Sequence, residues 1–175
     1  MSFLDFKPLI ASIAAGHSYD AALLAAQAHT ESAFNPSARS GAGAMGLMQF
    51  MPATWAEWGL GKDPFDPAAS LDAGVRYMRS LLSRYAGAAE PVALALAAYN
   101  VGMGNVDKAI KASGRTDWAG IVSYLPKETQ DYVPKILDRA AFYKTVFVAG
   151  AVGLGGAGIA LLAFLAFVVL RRVLA

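Results

Sequence analysis

Glu31 is the side chain best placed to do chemistry, and it has no partner. It lies in HTESAFNPSARSGAGAMGLMQFMPATW, residues 29–55, where glycines, methionines and the amide Gln49 follow it and no second carboxylate is close by. At the end of an alanine-rich helix, two effects act on such an acid. Partial burial against apolar neighbours disfavours its charged form, and the negative end of the helix dipole does the same more weakly. Both move the group toward the range in which a carboxylic acid donates a proton near neutral pH. Position alone leaves an ordinary exposed glutamate in a last helical turn as the alternative.

Other chemistries find little support. The chain has no cysteine, which excludes disulfides and thiolate metal sites. No HExxH, carboxylate cage or dinucleotide loop is present, so neither a metal nor an organic cofactor is expected. A net charge of +2, with the 15 basic residues scattered, argues against nucleic acid as a partner.

The elements that must carry Glu31 read as helices joined by short Gly/Pro/Asn turns. Asp20 can cap a helix from Ala21 to about Ser32, with Leu24, Ala28 and Glu31 on one face. Pro52 suits the first turn of another. Ser70 can cap a helix from Leu71 to Tyr85, in which Leu71, Val75, Met78, Leu82 and Tyr85 recur at helical spacing. Pro91 opens VALALAAYN, Asn105 starts a short helix to Ala112, and the last runs from Lys127 through Tyr143. No strand and no internal repeat is evident. The expected class is all-α, and 175 residues suffice for one domain with a proper core.

Residues 145–170, TVFVAGAVGLGGAGIALLAFLAFVVL, contain no charge and are bordered by Lys144, Arg171 and Arg172. A bilayer core needs about 20 apolar residues in a helix, so a C-terminal transmembrane helix is expected. The domains then read 1–143 for the globular part and 144–175 for the anchor. Small residues at four-residue spacing, Ala149 with Gly153 and Ala151 with Gly155, leave room for self-association through this helix.

Four motifs in order carry a resemblance: ESAFNPSARSGAGAMGLMQFMPATW, FDPAASLDAGVRYMRSLLSRY, ALAAYNVGMGNV and YLPKETQDYV. Together they closely resemble the soluble lytic transglycosylases, goose-type-lysozyme-like enzymes that cut peptidoglycan, over roughly residues 16–142. The resemblance implies a lysozyme-like fold with Glu31 as the single catalytic acid/base. That acid would protonate the β-1,4 bond between N-acetylmuramic acid and N-acetylglucosamine, then act as base while the muramic acid C6 hydroxyl attacks C1. The product is a 1,6-anhydro sugar, and a substrate that brings its own nucleophile makes the usual second carboxylate dispensable.

The same resemblance places substrate contacts at Ser40, Gln49, Met51, Tyr99, Asn100 and Glu128. Ser40 would meet sugar near the acid, or only cap its loop. Gln49 and Met51 would line the cleft floor, an amide for N-acetyl groups and an adaptable apolar wall. Tyr99 would lie close to the acid and orient it or the leaving sugar. Asn100 would brace the turn before Gly102, Glu128 would be a cleft or structural contact, and Tyr132 reads as core rather than site. His17 and His29 match no catalytic position, and burial is the expectation for Trp55, Trp58 and Trp118.

Two other functions compete. A hydrolytic lysozyme of the same fold would draw on Asp63, Asp66 or Asp72, although the first two sit in the turn-like GKDPFDP. An inactive peptidoglycan-binding membrane protein is the alternative of another class. The expected partners are peptidoglycan glycan strands and a lipid bilayer through 145–170. Arg171 and Arg172 point to a cytoplasmic C-terminus. MSFLDFKPLIASIAAG, interrupted by Asp5 and Lys7, does not read as a signal peptide. That combination favours a phage virion membrane, with virion proteins as neighbours and local wall opening during entry as the role; a bacterial envelope anchor is the alternative.

Overall fold

The computed structural model describes residues 2–151. Eight α-helices follow one another along them: α1 (Phe3–Gly16), α2 (Ala21–Ser32), α3 (Pro52–Trp58), α4 (Pro67–Arg84), α5 (Pro91–Val101), α6 (Met103–Ser113), α7 (Trp118–Ile121) and α8 (Lys127–Ala151). A short 3₁₀ turn, Val122–Tyr124, links the last two. The class is all-α, as expected; among the described residues the only β pairing is isolated, joining Arg39 to Met45 and Met45 to Phe50.

The centre of the fold is α2, and its composition explains why. Asp20 caps it, accepting hydrogen bonds from the amides of Ala22 at 2.7 Å and Leu23 at 3.3 Å. Alanines carry high helix propensity and let neighbouring backbones come close. From Ala22 to Ala28 every residue is buried, between α8, α1 and α4. The helix ends without glycine: Ala33 and Phe34 both take left-handed backbone angles, φ 50° and 62°. Phe34 is held there by burial of its ring against Phe6 and His29. α5 is similarly apolar all round, buried from Ala93 to Ala98.

Prolines at the first positions of α3 and α5 lie where the sequence puts them. α4 starts earlier than expected, at Pro67, with Asp66 as its cap. Ser70 is therefore not a cap: it is fully buried, and its hydroxyl accepts from the Met48 amide at 3.2 Å. The first residues form α1, whose Phe6, Ile10 and Ala14 enter the core.

α8 crosses the expected 143/144 boundary as one continuous helix. Tyr143, Val146 and Ala149 are buried, and Phe147 stacks edge-on against Phe3 at 5.7 Å. The run 145–170 expected to span a bilayer lies for the most part outside the described residues. Among those described, no helix is long and apolar enough to cross a membrane.

Candidate active site

Glu31 reaches a cleft of about 730 Å³ from the last turn of α2. The loop from residue 33 to 51 forms one wall, α4 and α5 contribute Tyr77 and Tyr99 behind it, and the start of α8 closes the other side. The structure brings all seven expected residues to this one cleft: Glu31, Ser40, Gln49, Met51, Tyr99, Asn100 and Glu128.

Burial pushes the Glu31 carboxyl up to about 7, and the negative charge of Glu128 adds to the rise. A hydrogen bond from the Tyr132 hydroxyl and the Lys135 ammonium act in the opposite direction. The Tyr132 hydroxyl donates to Glu31 Oε1. One carboxyl oxygen is thus committed to the protein, and a proton on the neutral acid belongs on the other.

This bond corrects the sequence reading of the two tyrosines. Tyr99 lines the cleft, but its hydroxyl donates to the Met48 carbonyl at 2.8 Å rather than to the acid. Tyr132 is buried, as a core residue would be, yet its hydroxyl makes the contact with Glu31. The physical reason is the packing: α8 is the helix laid most extensively along α2, while Tyr99 faces a loop carbonyl that would otherwise lack a partner. The spacing in ETQDYV puts Tyr132 one helical turn beyond Glu128, and both line the cleft, a signal the sequence held.

The loop wall is held from both sides at Met48, whose amide donates to Ser70 and whose carbonyl accepts from Tyr99. Its next residue, Gln49, adopts φ 47°, a left-handed angle that few side chains favour. The Gln49 Nε2 donates to the carbonyls of Gly46 at 2.9 Å and Ala38 at 3.2 Å. Its Oε1 therefore remains to accept from a ligand. Ser40 Oγ accepts from the Ala44 amide at 3.0 Å, so the loop-capping role is present and the hydroxyl proton remains to be donated. Met51 presents 44% of its surface at the rim.

Asn100 braces α8 rather than the turn before Gly102. Its Nδ2 donates to Glu128 Oε1 at 3.2 Å, and its Oδ1 accepts from Thr129 Oγ1 at 2.6 Å. Asp131 and Lys135, one and two turns along from Lys127, also line the cleft and were not singled out from the sequence.

The acids of the hydrolytic reading lie elsewhere. Asp63 holds the Phe65 amide at 2.9 Å, Asp66 caps α4, and Asp72 is bonded to His17 at 2.7 Å and Arg76 at 2.9 Å. His29 is partly buried and bonded to the Tyr143 hydroxyl at 2.8 Å. Trp55 is buried, with its Nε1 donating to the Lys62 carbonyl at 3.0 Å, while Trp58 and Trp118 are partly buried.

The chain is similar to known proteins. The chain is 39% identical over 104 residues to membrane-bound lytic murein transglycosylase F of Desulfosudis oleivorans, covering 58% of this chain and 23% of that protein. It is 41% identical over 116 residues to membrane-bound lytic murein transglycosylase D of Escherichia coli K12, covering 61% and 25%. The chain thus spans about a quarter of the length of these relatives. Among solved structures, an inactive glutamate-to-glutamine mutant of lytic transglycosylase Slt from Pseudomonas aeruginosa superposes with a TM-score of 0.69 at 28% identity, over 81% of this chain and 24% of that one. The model of the transglycosylase SLT domain matches residues 8–121, which hold Glu31, the loop wall and Tyr99 but stop short of α8. A match over more than half of its length places the chain in the transglycosylase SLT domain family.

Proposed function

We propose that the chain is a peptidoglycan lytic transglycosylase in which Glu31 is the sole acid/base. The observation that carries this reading is a carboxyl raised to about 7, tied through Oε1 to Tyr132 and lining the cleft. In the neutral state Glu31 protonates the glycosidic oxygen between N-acetylmuramic acid and N-acetylglucosamine. The resulting carboxylate, stabilised by the Tyr132 hydroxyl, takes the proton of the muramic acid C6 hydroxyl as that oxygen attacks C1. The leaving sugar keeps the first proton, and the second restores the acid. Tyr132 serves both halves because it can donate to the carboxyl in either state.

In this reading Gln49 Oε1 accepts an N-acetyl N–H, Ser40 donates its free hydroxyl proton to sugar, and Met51 packs on a ring face. Tyr99 holds the loop wall in place, and Asn100 positions Glu128 at the rim. Both the relatives named above and the mutant enzyme from Pseudomonas aeruginosa support the reaction class by name. Muropeptide mass spectrometry on digests made with the full chain tests it. Anhydro-ended fragments are the expected result; reducing ends without them would establish the hydrolytic alternative, for which Glu128 and Asp131 are the other carboxylates in the cleft. An inactive wall-binding protein would release no fragments at all.

The proposal extends to a globular domain that keeps α8 packed to Ala149, six residues past the 143/144 boundary read from the sequence, and to a single-pass anchor in the remainder of the uncharged run 145–170, supported by that run and the basic residues after it. Relatives named as membrane-bound fit such a setting. A virion membrane is one location for it and the bacterial envelope the other. Recovery of the chain in purified lipid-bearing particles would establish the first, and confinement to cell membranes would reject it.

A further inference from the structure

Beside Glu31 the cleft has a cationic corner that the proposed reaction leaves unused. Lys135 lies one helical turn beyond Tyr132 on α8 and lines the cleft together with Glu31 and Thr30. Asp131, the acid one turn before it, is engaged instead by Lys127 on its other side. Arg139, one turn further along α8, donates from Nη1 to Thr30 Oγ1 at 2.8 Å. That hydroxyl spends its own proton on the Ala26 carbonyl, also at 2.8 Å, so it is a fixed acceptor that holds the guanidinium at the edge of the cleft. Among the described residues no ion pair includes Lys135 or Arg139. Both charges are felt at the end of α2. Lys135 opposes the rise that burial imposes on Glu31, and after burial itself Arg139 and Lys135 keep His29 below its ordinary range.

We propose that Lys135, with Arg139 behind it, binds a carboxylate carried by the C3 substituent of the muramic acid, and so sets a preference for acidic over neutral glycan. This rests on the reading of the chain as a peptidoglycan transglycosylase. In that reaction the sugar held against Glu31 is the muramic acid, whose C6 hydroxyl attacks. Its C3 oxygen bears a lactyl group, which ends in a carboxylate when free and in an amide to an acidic peptide when substituted. N-acetylglucosamine carries no acid, so an anion near Glu31 comes from this substituent. Like charges one turn apart on a helix repel, and an anion between them relieves that repulsion with charge-assisted hydrogen bonds. Glu128, on the first turn of the same helix and in the same cleft, repels the carboxylate and directs it along the wall toward Lys135.

The test compares kcat/KM of the full chain on two substrates, each with its carboxylates intact and with them converted to amides. One is stem-bearing peptidoglycan with its amines acetylated, and the other is glycan stripped of its stems by an amidase. Assays run at about pH 5.5, below the value of about 7 for Glu31, so that the acid stays neutral in every variant. The unmodified chain is expected to prefer the carboxylate form about fivefold, mostly through KM. Lys135→Met should abolish that preference, Lys135→Arg should keep it, and Arg139→Gln should lower it about twofold. Raising the salt to about 0.5 M should shrink it, because the pair is open to solvent. The substrate with the larger preference names the source, the lactyl carboxylate for stripped glycan and a peptide carboxylate for stem-bearing material.

No preference in the unmodified chain, or one that Lys135→Met retains in full, overturns the proposal. Should the methionine variant lack a cooperative thermal transition, Lys135→Gln decides by the same criteria. Anhydro-ended fragments made without any charge preference defeat the carboxylate site alone. No fragments from the unmodified chain on either substrate defeat the transglycosylase reading and the site together.

Discussion

In the mechanism proposed above the Glu31 carboxyl begins each turnover neutral; withdrawing water from it keeps it so, at a cost to the fold. Activity on peptidoglycan should fall as pH rises through about 7, where burial places the carboxyl; a profile flat to pH 9 would contradict this. Stability follows the same group with a definite sign. Folding favours the neutral form, so this contribution is complete below the ordinary value of 4.5 and is lost as pH rises through about 7. Glu31→Gln, which cannot ionise, should match the unmodified protein in urea unfolding at pH 4. At pH 8 it should be more stable by about 1–3 kcal/mol, the range set by partial solvent access to the site. The same exchange should reduce wall-lytic activity at least a hundredfold, about the value of a general acid. The place of Glu31 in the cleft was legible in the sequence from its motif, but which tyrosine bonds its carboxyl was not. Tyr99 and Tyr132 are each polar-tipped aromatics on helices that face the core, and only the packing of α8 on α2 decides between them.

At the level of elements, the loop between α2 and α3 is the part most dependent on exact fit. Gly46 has φ 73°, and a Cβ there would lie 2.0 Å from the Pro64 carbonyl oxygen. Gly46→Ala should therefore destabilise by about 2 kcal/mol or more, read as a lowered urea midpoint, with activity falling alongside because Gln49 is bonded to the Gly46 carbonyl. Ser70→Ala should cost about 1–3 kcal/mol by the same measurement, since it strips a partner from the buried Met48 amide. Helix starts were readable where a local rule suffices: Asp20 accepts from its own first turn, and Pro52 and Pro91 occupy first positions that need no amide hydrogen. Ser70 failed as a start signal because the hydroxyl that would cap a helix bonds a residue 22 positions away instead. No local pattern distinguishes the two uses of one side chain.

For the whole molecule, α8 ties together parts that the sequence divides. The buried Tyr143, Val146 and Ala149, with Phe147 against Phe3, show that residues past 143 belong to the packing of the globular part. A chain ended after Ala151 should stay folded and active while leaving the membrane fraction, if the anchor lies beyond it. One ended after Tyr143 should melt several degrees lower, because Val146 and Phe147 no longer cover α1 and Phe3. Equal melting temperatures would show that the last turns of α8 add nothing.

The unbroken course of α8 has a mechanical consequence. Tyr132, which holds the acid, and Thr145, where the uncharged run begins, sit on one rod, about 20 Å apart along its axis at the helical rise per residue. A hinge between enzyme and anchor would let the cleft swing over the wall at varying depths. In the anchored setting proposed above, a rod would instead set a standoff, with the cutting point held at one height above the bilayer surface. Only glycan strands passing through that layer would then come within reach, so such an anchor would select substrate by distance as well as by chemistry.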